Sequence, residues 1–127
     1  MFLNMSKGRI LEEIIRNETR KALEKNSNFD VYKVEFNNNE NTPCGEYDML
    51  IYSKSDNTCQ IYEIKHSKHI SKRQGHWLKS TSLNQLAEYF FGNIKKKAII
   101  YMGDNNDGEI QYINANNYLQ NINDYIF

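Results

Sequence analysis

Two apolar runs, Tyr47-Asp48-Met49-Leu50-Ile51-Tyr52 and Ile61-Tyr62-Glu63-Ile64-Lys65, flank the polar stretch Lys54-Ser55-Asp56-Asn57-Thr58. A β-hairpin accounts for this pattern, and it constrains the fold most because it dictates which charged residues can meet. Side chains alternate along a strand, so Glu63 and Lys65 share one face of the sheet. Asp48 joins them if the turn is centred between Asp56 and Asn57, which sets Asp48 opposite Lys65 and Leu50 opposite Glu63. Two carboxylates and an ammonium then converge on a largely apolar sheet. That arrangement is costly unless a metal ion and a substrate use it.

The residue types suit metal-assisted phosphodiester hydrolysis. Carboxylate oxygens favour Mg²⁺ or Mn²⁺, and Mg²⁺ usually takes only one or two carboxylates from the protein. The cation would polarise the phosphate and acidify water, while the lysine orients that water or steadies charge on the phosphate. Asp48, Glu63 and Lys65 are therefore the expected catalytic residues, with Asp48 and Glu63 as metal ligands. The competing reading is an ordinary Glu63–Lys65 ion pair on a solvated face, since Glu-x-Lys is common by chance. The preceding Asp48 and the apolar neighbours favour a site.

The chain resembles the PD-(D/E)XK, or restriction-endonuclease-like, nuclease superfamily. It is most similar to the nuclease-like domain at the C-terminus of many prokaryotic AAA-type ATPases. The matching pieces are Gly8-Arg9-Ile10-Leu11-Glu12, Gly45-Glu46-Tyr47-Asp48, Glu63-Ile64-Lys65, the helix Leu83 to Phe90 and the apolar strand Ala98 to Met102. Tyr47 stands where the family name places a proline. The resemblance implies an α/β fold with a central mixed sheet flanked by helices, cleavage of DNA with Mg²⁺ or Mn²⁺, and an AAA-type ATPase as partner or missing module. It also favours Glu12 as an extra acid near the metal and Gln85 as a polar helix residue approaching the site. From the residues alone, Glu12 and Glu13 also suit the helix dipole, and Gln85 also suits the edge of a packed face. A non-cleaving nucleic-acid-binding or regulatory domain is the alternative function, and a homodimer is a further candidate assembly.

The remaining elements follow from periodicity. Ile10, Leu11, Ile14, Ile15, Ala22 and Leu23 form an apolar stripe on a helix from about Ser6, its N-cap, to Glu24, with Glu18 near the stripe's centre. Phe29 to Phe36 reads as a first strand. Ser82 is expected to cap a helix carrying Leu83, Leu86, Ala87, Phe90 and Phe91, ended by Gly92-Asn93. Ala98 to Met102 reads as a doubly buried strand, Glu109 to Ile113 as a short strand, and Asn116 to Phe127 as an amphipathic helix.

Between Lys65 and Lys79 the chain is basic. Lys68, Lys72 and Arg73 are expected to contact nucleic-acid phosphates if Glu63 and Lys65 are catalytic. Trp77 is expected to be a packed anchor, although base stacking is its other use. His66, His69 and His76 lack the paired cysteines of a zinc site, and the run Asp104 to Gly108 has its glycine out of register for a calcium loop. Cys44 and Cys59 are read as free thiols, with a disulfide as the minor alternative. With 127 residues, 16 basic and 16 acidic side chains, the chain is expected to form one domain, 1–127, with no global attraction to nucleic acid. No run is long enough to cross a membrane, and Met1 to Met5 is too short for a signal peptide, so a cytoplasmic location is expected.

Overall fold

The structure, a computed structural model, describes residues 6–37, 43–70, 75–104 and 110–127. Its elements run α1 (Lys7–Leu23), β1 (Phe29–Asn37), β2 (Pro43–Ser53), β3 (Thr58–Ile64), α2 (Thr81–Phe91), β4 (Asn93–Tyr101), β5 (Gln111–Asn114), α3 (Ala115–Gln120) and α4 (Ile122–Ile126). The result is a mixed α/β fold around a five-stranded sheet of order β1-β2-β3-β4-β5. β1, β2 and β3 form an antiparallel meander, whereas β4 lies parallel to β3 and β5 parallel to β4. The connection through α2 is what a parallel β3–β4 pair requires.

The sheet is covered on both faces. Ile15 and Leu23 of α1, Tyr118 of α3 and Ile126 of α4 pack on Met49, Ile51, Tyr62, Ile64, Ala98 and Ile100. On the other face, Leu78, Leu83 and Ala87 pack on Tyr47, Leu50, Ile61, Ile99 and Tyr101. Among the described residues, no helix is long and apolar enough to cross a membrane.

Several sequence expectations need correction. Helix α1 is capped by Ser6 as expected, its hydroxyl accepting the Arg9 amide at 3.3 Å. It is rolled about its axis, however. Its buried residues are Ile15, Arg16, Thr19 and Leu23, while Ile10 and Ile14 are 43% and 44% exposed. Polar residues can occupy the inner face because partners await them. Arg16 Nη1 donates to the Asp48 carbonyl at 2.9 Å, and the Thr19 hydroxyl meets Tyr118 Oη at 2.6 Å. Glu18 lies toward solvent beside Lys21 rather than at the centre of the buried face.

Helix α2 begins one turn-half earlier than expected, capped by Ser80 and not Ser82, with Ser80 Oγ accepting the Leu83 amide at 3.3 Å. Gly92 closes it at φ 77°, as its position suggested. Leu86 and Phe90 are exposed, not core. β4 starts at Asn93 and so includes the lysines of Lys95 to Lys97. The tail forms two short helices broken at Asn121, φ −138° and ψ 42°, instead of one.

The hairpin register is displaced. Met49 faces Tyr62 and Leu50 faces Ile61, so Leu50 does not stand opposite Glu63. The turn between Ser53 and Thr58 includes Asn57 at φ 52°, whose carbonyl accepts the Asn93 amide at 3.2 Å. The displacement preserves parity, because it moves the partner by an even number of residues.

Candidate active site at the end of the third strand

The site begins with an irregularity in β2. Tyr32 pairs with Leu50 but Val34 pairs with Tyr47, so Asp48 and Met49 together oppose Lys33. This is a β-bulge, a device that re-aims a side chain. It lets Tyr47 and Leu50 both join the α2-side core while Met49 joins the other. Asp48 is turned toward β3, where its Oδ2 accepts the Ile64 amide at 2.8 Å. The expected Asp48–Lys65 opposition is therefore replaced by a side-chain bond to the strand itself.

Asp48 is only 9% exposed. Burial pushes its carboxyl up to about 7, against the pull of the Ile64 amide, and Glu12, Glu63 and Glu46 add repulsion. A carboxylate crowded by others in a poorly solvated place is the donor chemistry that a cation relieves.

Glu63 and Lys65 emerge on one face, as alternation required, with Lys65 Nζ 3.6 Å from Glu63 Oε1. Glu63 Oε2 accepts the Gly75 amide at 2.5 Å. Gly75 has φ 81°, which a side chain would oppose, so the turn after the basic stretch is shaped to bring this N–H to the carboxylate. The chain beyond β3 stays beside β4: the Lys65 amide reaches Ile100 O at 2.9 Å and the Met102 amide reaches Ser67 O at 2.8 Å. Lys65 is thus held at the carboxyl end of the parallel strands, where open α/β sheets commonly bind ligands.

Glu12 approaches from α1. Its Oε1 lies 3.3 Å from Arg16 Nη1 and 3.8 Å from Lys33 Nζ. Arg16 therefore links Glu12 to the backbone of Asp48. Sequence reasoning passed over Arg16, although its spacing of four residues from Glu12 marked the pair.

Gln85 is exposed, and the buried polar residue of α2 is its neighbour Asn84. Asn84 Oδ1 accepts the Tyr47 hydroxyl at 2.6 Å, and its Nδ2 donates to Leu78 O at 3.0 Å. Asn84 therefore anchors the residue preceding Asp48, a support that was not foreseen. Trp77 is half-buried against the α2-side core, as expected of an anchor. Gly45 makes room for it, since a Cβ there would come within 2.9 Å of the indole ring.

Lys68 is exposed, while Lys72 and Arg73 lie outside the described residues. Cys59 is buried and Cys44 exposed. Among the described residues, no group of three or more His, Cys, Asp or Glu side chains is arranged to hold a metal ion. Asp48 and Glu63 remain the pair whose chemistry suits Mg²⁺, which needs no more than one or two carboxylates.

Compared with known proteins, the chain matches no family model, and no curated protein matches it.

Proposed function

We propose that this protein is a metal-dependent nuclease that hydrolyses DNA phosphodiester bonds, built on a restriction-endonuclease-like fold. The observation that carries this reading is Asp48: a carboxyl raised to about 7 by burial and by Glu12, Glu63 and Glu46, beside a strand bearing Glu63 and Lys65. The element order supports the fold, since a helix precedes a three-stranded meander and a crossover helix leads to a parallel strand.

A bound divalent cation would supply charge neutralisation of the phosphate and a more acidic water. Asp48 and Glu63 would hold that cation. Each carboxylate is oriented by a backbone amide, Asp48 by that of Ile64 and Glu63 by that of Gly75. The Lys65 ammonium, drawn to Glu63, stands ready to steady developing negative charge on the phosphate. Glu12, paired with Arg16 and Lys33, serves through Arg16, which it holds on the Asp48 carbonyl.

A second reading is a domain that binds nucleic acid without cutting it. It is favoured by Glu63, both of whose oxygens are already engaged, by Lys65 and by Gly75. One experiment separates the two. Plasmid, single-stranded DNA and RNA are incubated with Mg²⁺ or Mn²⁺ and wild type, Glu63→Gln or Lys65→Ala. Cleavage that falls at least about 100-fold in either variant supports the nuclease. Substrates left intact by the wild type, or cut equally by Glu63→Gln, would sink it.

A further inference from the structure

β1 is an edge strand of nine residues, paired with β2 on one side and, among the described residues, with no strand on the other. Such an edge is a template for another chain. Its hydrogen-bonding parity can be read from two contacts. The Lys54 amide donates to Asn28 O at 2.9 Å from the β2 side, whereas Arg20 Nη2 donates to Val31 O at 3.3 Å. By alternation, Val31, Lys33 and Glu35 turn their peptide groups toward the free edge.

The strand is self-complementary about Val34. It reads Tyr32-Lys33-Val34-Glu35-Phe36. Run against itself with a two-fold axis at Val34, it sets Lys33 opposite Glu35 of the second copy, and Tyr32 opposite Phe36, each twice. Residues with outward peptide groups then meet residues with outward peptide groups, so the ladder closes. An axis at Lys33 or at Glu35 would instead set like charges directly opposite, which is destabilising.

Two further observations favour the same partner. Glu35 already lies directly across from Glu46 of β2, a like-charge pair that a lysine on the open side would offset. The α2 side of this edge also carries an aromatic surface. Tyr32, Leu86, Phe90 and Tyr89 are 39%, 43%, 60% and 82% exposed. The rings form a connected run, with Tyr32 5.6 Å from Phe91, Phe36 6.3 Å from Phe90, and Phe90 5.0 Å from Tyr89. Exposed apolar surface of this kind marks an association site.

We propose that the protein forms a two-fold dimer through β1, joining two sheets into one and burying the aromatic surface of α2 against its copy. The interface is isologous, so each complementary pair occurs twice.

Sedimentation velocity over a concentration series tests this on the wild type, Lys33→Glu, Glu35→Lys and the double exchange. The wild type is expected to dimerise. Each single change sets like charges across the interface and should weaken the dimer by roughly tenfold or more. The double exchange restores both pairs and should return to near the wild-type value. Glu35→Lys is included because Lys33 also lies 3.8 Å from Glu12, whereas the recovery by the double exchange cannot come from that contact. A wild type monomeric at every concentration, single variants that dimerise as tightly as the parent, or a double exchange that fails to recover would each overturn the proposal. The readout is mass, so it is independent of whether the protein cleaves DNA.

Discussion

Asp48 carries the clearest consequence at the residue scale. An ordinary aspartate ionises near 3.8, and here burial and the surrounding glutamates raise the carboxyl to about 7. The folded value lies above the unfolded one, so the folded state holds an extra proton between the two. Stability from this group is complete below the unfolded value and is lost as pH rises through the folded value, a window from about pH 4 to about pH 7. Asp48→Asn removes the charge yet keeps an acceptor for the Ile64 amide. It is expected to raise stability on the order of 2 kcal/mol at about pH 8 and to flatten the decline across that window. Urea unfolding at a series of pH values measures both. A variant less stable than its parent above neutrality would show that the buried carboxylate is not under electrostatic stress.

At the scale of elements, the meeting of α2, β4 and the hairpin turn depends on one residue. Gly92 ends α2 at φ 77°, and a Cβ there would lie 1.8 Å from Asn57 O. Asn57 in turn sets the β2–β3 register through its own left-handed conformation, φ 52°. Gly92→Ala combines backbone strain with a collision against backbone, which cannot move aside as a side chain would. Its expected cost is more than about 2 kcal/mol in thermal or urea unfolding. Gly8→Ala is the control: a Cβ there meets only Ser6 Oγ at 3.9 Å, and the change should stay within about 1 kcal/mol of the parent. Equal effects at the two positions would refute the role given to the Gly92–Asn57 contact.

For the whole molecule, the balance of 16 basic and 16 acidic side chains leaves no net field to gather nucleic acid. Under the proposed function, binding would rest on local charge, and the basic stretch that follows Lys65 in the sequence is the first candidate. Each phosphate contact releases counterions, so affinity for DNA should fall steeply with salt. Replacing Lys68, Lys72 and Arg73 by Ala is expected to reduce the slope of log affinity against log salt by up to about 3 while leaving Mn²⁺ binding unchanged. Fluorescence anisotropy at several salt concentrations measures the slope. An unaltered slope would show that this stretch does not track the backbone, and Lys95 to Lys97 would be the next surface to change.

Local rules were enough for much of this architecture. Alternation placed Glu63 and Lys65 on one face, Ser6 and Gly92 marked helix ends, and apolar runs located β1, β2, β3 and the buried half of β4. Each of these depends on neighbours within a turn or a strand, so periodicity and capping chemistry suffice. The site's details were decided by distant partners. Arg16 is buried because the Asp48 carbonyl lies above it, Thr19 because Tyr118 does, and Asn84 because Tyr47 reaches it. A hydrophobicity pattern favours Ile10, Ile14 and Leu86 for those inner faces, since it values apolar groups and cannot see hydrogen bonds made across the fold. The hairpin register and the bulge at Asp48 belong to the same class. The shared face of Glu63 and Lys65 was determined by the strand itself, but the hairpin register depends on Asn57 meeting Gly92 and Asn93, contacts that exist only once the sheet is assembled.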